Sequence, residues 1–452
     1  MIQSSSVKEA FDLFDGEDSD SEKDCIVVES IRCPLTIAPT VSKNTMKLLE
    51  TENNSYEIEH SPWPHIRPMY SKSIRLINDC TDVGGNRGYI ATEDLEPGTL
   101  ILLEKVHVPW PADAAKYDPL FLAKALESIL RCSNQESFRK ELGHLFPRTL
   151  EDLPTYLRHA GRHKFSSTLK QLCTKYSELN VTEDELLQNI FSMQCNAFHS
   201  GVFLYCSLLN HDCNPNCVKF IPVESDGSIS QVRVTKKVDK GQPLTISYLY
   251  PREQSRLQRK RILEHQFGFE CTCNLCKRGD SEFQAPDSAV SINESVQSGK
   301  LLSIEDSVSQ CEELVMRKEI DAGRVLDKAL EVLSDALEIV AHDHFVLIRI
   351  YKLVGDCYEW MLKGESKNSI ESAVLFVRSN YELLSLQRQY LGHSHVDLAR
   401  TLNDLSQGIQ VSLSRNIDTL LREFPEWDNF RQVSIIENQY RKEYMRIKEL
   451  YD

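Results

Sequence analysis

No apolar run in this chain approaches the roughly 18 residues that would carry a helix across a bilayer, so no membrane-spanning segment is expected. The start, Met1-Ile2-Gln3 followed by serines and acids, lacks the charged-then-apolar pattern of a secretory signal, and the chain reads as an intracellular protein. Positive charge is also in deficit: 52 Lys and Arg face 67 Asp and Glu, a net charge of −15. That balance argues against a protein that coats nucleic acid. In a reducing compartment the fourteen cysteines are free thiols or metal ligands rather than a disulfide framework. At about 150 residues per domain, 452 residues suggest three units able to bury their own cores.

Texture divides the chain. Residues 1–65 carry an acidic, serine-punctuated run from Asp15 to Asp24 and read as a solvated, largely disordered tail. Glycines at 84, 85 and 88 sit beside Tyr89-Ile90-Ala91, and Leu95-Glu96-Pro97-Gly98 leads into Thr99-Leu100-Ile101-Leu102-Leu103, the pattern of a β-hairpin. Helical spacing then takes over at about 115–193, with Leu122, Leu126 and Ile129 on one face and a capping-box pattern at Thr182 and Glu185 before Leu186, Leu187 and Ile190. Strand texture returns at 202–205, 218–221, 232–234 and 244–248. Residues 281–310, rich in Ser, Asp, Glu, Gln and Gly, read as an exposed linker. From 311 to 452 the chain is helical, with an apolar stripe at Val325, Leu326, Ala329, Leu330, Leu333, Ala336, Leu337 and Val340 and further helices at about 345–362, 369–391, 395–411, 413–424 and 430–450. Paired amphipathic helices of this size suggest a tetratricopeptide-like (TPR-like) arrangement, in which each pair needs a neighbour to bury its face.

Cys271-Thr272-Cys273-Asn274-Leu275-Cys276 packs three thiols into six residues, which points to zinc. A closed tetrahedral site needs four ligands. Cys213, Cys217, His211 and His265 are the candidates for the fourth. Cys132, Cys173, Cys311 and Cys357 stand alone and read as small buried hydrophobes. Arg252, Arg256 and Lys260 share one helical face at i, i+4 and i+8, with Arg259 and Arg261 beside them, and read as a solvated surface without nucleic-acid contact.

Four segments, in this order, resemble a SET-domain protein-lysine methyltransferase: Gly85 to Tyr89 with Asp94 to Gly98, Asn210 to Cys217, Ile246-Ser247-Tyr248, and Phe267 to Cys276. The resemblance is closest to the SET-and-MYND (SMYD) subgroup, because Gln194-Cys195-Asn196-Ala197-Phe198 precedes Ser207 to His211 and a helical domain follows the cysteines. Between 110 and 194 the only cysteines are Cys132 and Cys173, so no MYND zinc finger is expected. The fold implied is α+β: a β-rich SET domain at 66–250 with its helical insertion, a post-SET zinc segment at 251–280, the linker, and the all-α C-terminal domain.

The resemblance implies S-adenosylmethionine as cofactor, held by Arg87, Gly88, Asn196, Asn210, His211 and Phe269, with the glycine turn read either as Asn86-Arg87-Gly88 or as Gly85-Asn86-Arg87-Gly88. It implies Tyr248 as the catalytic-type tyrosine and Phe198, Tyr248 and Phe267 as walls of a lysine channel. Phe267 stands where many members carry tyrosine, so one channel hydroxyl is missing. By the same resemblance a structural Zn2+ is held by Cys213, Cys271, Cys273 and Cys276, Cys217 being non-ligating. The expected partner is a protein presenting a lysine, in cytoplasm or nucleus, met by a monomer whose C-terminal helices recruit further proteins. The competing expectation is a non-catalytic SET and TPR-like scaffold.

Overall fold

The computed structural model describes residues 58–78, 87–111, 118–220, 228–277, 294–318, 320–363, 370–415 and 417–451. The expected acidic tail, save its last residues, lies outside the described residues. The strands are β1 (Tyr70–Ser71), β2 (Ile74–Ile77), β3 (Gly88–Ala91), β4 (Leu100–Lys105), β5 (Val108–Pro109), β6 (Ala197–Phe198), β7 (Gly201–Val202), β8 (Asn210–His211), β9 (Cys217–Phe220), β10 (Ile229–Val234) and β11 (Pro243–Ile246). The chain divides into two compact units.

One unit contains Val108–Leu204 and Glu264–Phe269. Here β5, β7 and β6 form a small antiparallel sheet. Between β5 and β6 run the helices α1 (Phe121–Leu130), α2 (Gln135–Leu142), α3 (Thr155–Lys175) and α4 (Glu183–Cys195), close to the expected insertion. Thr182 caps α4 by accepting the Glu185 N–H at 3.2 Å, as the capping pattern requires. Gly161 lets α3 approach α4: a Cβ there would lie 2.5 Å from the Phe191 ring. Leu126, Leu186, Leu187 and Ile190 are fully buried, each stabilising by about 1.5–3 kcal/mol relative to exposure.

The other unit contains residues 58–107, Tyr205–Leu263 and 270–451. Its first sheet runs β1-β4-β10-β9, antiparallel throughout, and its second runs β2-β3-β11-β8, with β8 parallel to β11. The hairpin expected from 89–103 is therefore corrected: β3 pairs with β2 and β11, while β4 pairs with β1 and β10. Ile101, Leu102 and Leu103 are all buried, so β4 is a central strand that needs a partner on each side. Gly98, just before β4, sits at φ +92° with its N–H donating to the Val234 carbonyl of β10 at 2.8 Å.

The rest of this unit is helical: α5 (Arg256–Ile262), α6 (Asn274–Lys277), α7 (Glu294–Arg317), α8 (Ala322–Ile339), α9 (Val346–Lys363), α10 (Ile370–Leu391), α11 (Asp397–Arg415), α12 (Ile417–Glu423) and α13 (Phe430–Tyr451). The linker expectation is corrected from residue 294 onward, where the chain is α7 with Leu301, Ile304, Val308 and Cys311 buried. Polar composition hid an apolar face at helical spacing. The α8 stripe is right except that Leu330 is 39 % exposed while Val332 is buried. Successive helices pack on their neighbours, α7 on α8, α8 on α9, α9 on α10, α10 on α11 and α11 on α13. Phe220 at the end of β9 joins a core with Val377, Leu402, Phe424 and Tyr451, which welds the first sheet to the last helices. No helix among the described residues is long and apolar enough to cross a membrane.

Candidate active site and metal centre

The second sheet of the larger unit gathers the motif residues. Asn210 and His211 in β8 lie beside Thr245 and Ile246 of β11, which places Tyr248 two residues past their register partners. Asn216 holds this arrangement: its side-chain oxygen accepts the Thr245 N–H at 2.9 Å and its amide donates to the Pro243 carbonyl at 2.8 Å. The Asp212 carboxylate accepts the Asn214 N–H at 2.8 Å, an Asx turn that starts the Asn-Pro-Asn bend. On the entry side, buried Glu104 accepts the Tyr205 and Cys206 N–H groups at 2.9 and 2.8 Å and so fixes the chain leading into the motif.

Arg87 meets Asn210 through its backbone. The Asn210 amide donates to the Arg87 carbonyl at 3.1 Å, and buried Gly88 opens β3. Residues 84–86 lie outside the described residues, and with them the choice between the two glycine-turn registers. Tyr248 is fixed at both ends. Its N–H donates to His211 Nδ1 at 3.0 Å, its hydroxyl donates to the Leu209 carbonyl at 2.7 Å, and the two rings lie 5.2 Å apart.

Burial drives the His211 pKa down to about 3, so the ring is neutral. Because Nδ1 accepts from Tyr248, the single ring proton sits on Nε2, 3.3 Å from Cys213 Sγ, and points a donor at that sulfur.

The four expected ligands converge: the sulfurs of Cys213, Cys271, Cys273 and Cys276 all lie within 4.8 Å of one another. Tetrahedral zinc with bonds of about 2.3 Å sets sulfurs roughly 3.8 Å apart. Cys213 Sγ is 3.9 Å from that of Cys271 and 3.5 Å from that of Cys276, so the donor set fits zinc in number, type and spacing. Cys217 lies instead in β9, its thiol 3.4 Å from the Asn216 side-chain oxygen. Of the isolated cysteines, Cys311 and Cys357 are buried as expected, whereas Cys132 is exposed beyond the end of α1.

The reading of the basic cluster as a solvated face holds at exposed Arg256 and Arg261 and is corrected at Arg252 and Arg259. Arg252 precedes α5 and pairs with Asp397 and Glu253, and Arg259 is only 2 % exposed. The i, i+4, i+8 count assumed that Arg252 is helical, and the groups that bury both arginines come from the distant C-terminal helices and the cysteine segment. Glu104, Asn216 and Arg259 were the structural residues missed. Glu104 directly after the apolar run Leu100–Leu103 is a usable signal, since a charge in a central strand needs buried donors.

The remaining site candidates, Asn196, Phe198, Phe267 and Phe269, belong to the smaller unit. The Gln194 amide donates to the Gln266 carbonyl at 3.2 Å, joining the Gln194–Phe198 motif to the Phe267–Phe269 segment. Asn196 donates to the Phe146 and Ser192 carbonyls at 2.7 and 2.8 Å. The Phe198 ring packs edge-on to Phe203 at 5.7 Å, and Phe267 edge-on to Phe269 at 6.5 Å. Gly268 separates those two at φ +77°, where a Cβ would also strike Pro154 at 2.8 Å.

Residues 86–249 match the SET domain family. The chain is 22% identical over 202 residues to a putative SET domain-containing protein of Acanthamoeba polyphaga mimivirus, covering 43% of this chain and 75% of that one. It is 26% identical over 167 residues to the histone-lysine N-methyltransferase Smyd1 of Mus musculus, covering 29% and 32%. It is 31% identical over 120 residues to the histone-lysine N-methyltransferase SMYD3 of the same species, covering 26% and 24%. The chain thus spans about a quarter to a third of the length of these two methyltransferases.

Proposed function

With a SET domain as the premise, we propose that this protein is an S-adenosylmethionine-dependent methyltransferase of protein lysine side chains, histone or non-histone. The observation that carries the reading is the joint placement of Arg87, Asn210, His211 and Tyr248 around β11, beside a four-cysteine centre. When bound, the cofactor supplies a methyl carbon made electrophilic by a sulfonium sulfur.

This chain's own residues supply position. Gly88 brings backbone close without a Cβ, and Asn210 holds the Arg87 carbonyl in place, features suited to gripping the polar end of such a cofactor. Asn196, His211 and Phe269 take cofactor-contact roles, and Phe198 and Phe267 channel-wall roles, on the strength of the resemblance. Tyr248 is proposed as the residue that orients the attacking amine. Its hydroxyl proton is committed to Leu209, so toward an amine its oxygen acts as an acceptor. A lysine begins near pKa 10.4 and reacts only when neutral, so an aromatic, poorly hydrated approach that disfavours the ammonium assists it. Alignment of amine and methyl along one axis then carries most of the rate.

Cys213, Cys271, Cys273 and Cys276 would hold a structural zinc. All four positions are thiolate, so the ion ties the Asn210–Cys217 segment to the Cys271–Cys276 segment and offers no open position for chemistry.

Incubation of the full chain with labelled S-adenosylmethionine and protein or peptide libraries tests the proposal, with Tyr248→Phe run alongside. Label on lysine that Tyr248→Phe loses supports it. A chain that binds no cofactor and labels nothing is the scaffold instead.

A further inference from the structure

Arg259 lies on α5, 12 residues before the first clustered cysteine, and is almost wholly withdrawn from water. A buried guanidinium is costly without matching negative charge or acceptors. One of its terminal nitrogens lies 3.8 Å from Cys276 Sγ, within reach of an N–H···S hydrogen bond. The other donates to the Gln254 carbonyl, and the guanidinium carbon sits 5.7 Å from the centre of the Phe345 ring.

Its placement is built in. Ser255 caps α5 by accepting the Gln258 N–H at 3.2 Å. Glu305 of α7 in turn accepts the Ser255 N–H at 2.7 Å and its hydroxyl at 2.6 Å, so the start of the helix is pinned. Arg259 follows one turn later, facing the thiols. Leu275 packs into the same apolar core as Phe345, which brings the cysteine segment and the guanidinium to one wall.

Four thiolates around a divalent ion leave two net negative charges in a largely buried place, as unfavourable alone as a buried arginine is alone. Each offsets the other. His211 supplies a second donor, to Cys213, from β8. The planar guanidinium lies against Phe345 and still reaches sulfur along its edge.

We infer that Arg259 is a positioning residue of the metal centre, a charge-compensating donor to the Cys276 thiolate that retains zinc and ties the cysteine segment to the C-terminal helices. The inference rests on the zinc reading above. It assigns Arg259 no contact with substrate.

The test uses the full chain, metal analysis, and zinc release to a chromophoric chelator followed against pH, for wild type, Arg259→Gln and Arg259→Lys. Removing the positive charge makes the sulfurs easier to protonate. Arg259→Gln is expected to release zinc about tenfold faster or more and to lose it at a pH higher by about half a unit or more. Arg259→Lys keeps the charge and is expected to hold the wild-type pH midpoint. Equal shifts in both variants, or none in either, overturn the inference while leaving the zinc centre standing, provided wild type carries one zinc per chain. Wild type without zinc overturns the zinc reading itself. Should Arg259→Gln fail to fold, Arg259→Met, which keeps an apolar side chain of similar length without the charge, takes its place beside Arg259→Lys with the same supporting and overturning results.

Discussion

The Tyr248 backbone N–H donates to Nδ1 of His211 at 3.0 Å, and this single bond links the proposed catalytic tyrosine to the four-cysteine cluster. It leaves the ring proton on the nitrogen facing Cys213, so one imidazole orients a backbone turn with one side and touches the Cys213 sulfur with the other. Tyr248 in turn anchors to Leu209, the residue just before the Asn-His pair.

Tyr248→Phe removes the bond to the Leu209 carbonyl, at a cost of about 1 kcal/mol in stability. Under the proposed function methyl transfer falls roughly 100-fold, while equilibrium binding of S-adenosylmethionine, followed by calorimetry, changes little. Wild-type turnover in this variant would remove Tyr248 from its role.

Cys273→Ser takes one sulfur from the four-cysteine centre. The expected results are zinc falling well below one per chain and a melting temperature lower by ~5 °C or more. Cys217→Ser, in β9, is the contrast: it should keep its zinc in the same metal analysis.

At Gly98 the backbone is at φ +92° and a Cβ would lie 2.4 Å from the Leu450 carbonyl oxygen. Gly98→Ala therefore combines left-handed strain with a backbone clash, and it should cost about 2 kcal/mol or more in thermal unfolding. The same substitution at Gly241, φ +86° with open space around it, carries only the strain and should cost less.

Asp404 shares Arg400 with Asp356 and Glu359, and burial followed by these neighbouring carboxylates pushes its pKa up to about 7 even though Arg400 opposes them. A carboxyl whose folded pKa exceeds its unfolded value favours the fold most below the unfolded pKa, and that advantage is lost as pH rises through about 7. Melting curves of Asp404→Asn and wild type should therefore separate between pH 5 and pH 8, the variant gaining ~2 °C or more at the upper end. A gap that shrinks with rising pH contradicts this sign.

Much of the candidate site was legible because its signals are local. The Cys271–Cys276 spacing, the Asn210–Cys217 motif and the Thr182 cap each state their chemistry within a few residues, and the structure gathers the cysteines and caps the helix as read. What was misread depended on remote partners. Arg252 and Arg259 look like solvated charges until Asp397, Phe345 and Cys276 arrive from elsewhere in the chain. The strands at 88–91 and 100–105 look like a hairpin until β11 and β10 take their edges. The 294–310 stretch looks like a linker by composition, and only the packing of Leu301, Ile304 and Val308 reveals its buried face.

By itself the sequence determined which chemical groups exist and how closely they follow one another: thiols in a six-residue cluster, an Asn-His pair ahead of Asn-Pro-Asn, and apolar residues at helical and strand periods. Only the tertiary structure decided which strand edges meet and which cations are withdrawn from water. Those outcomes follow from desolvation and pairing between residues far apart along the chain, and such energies are defined only once both partners are in place.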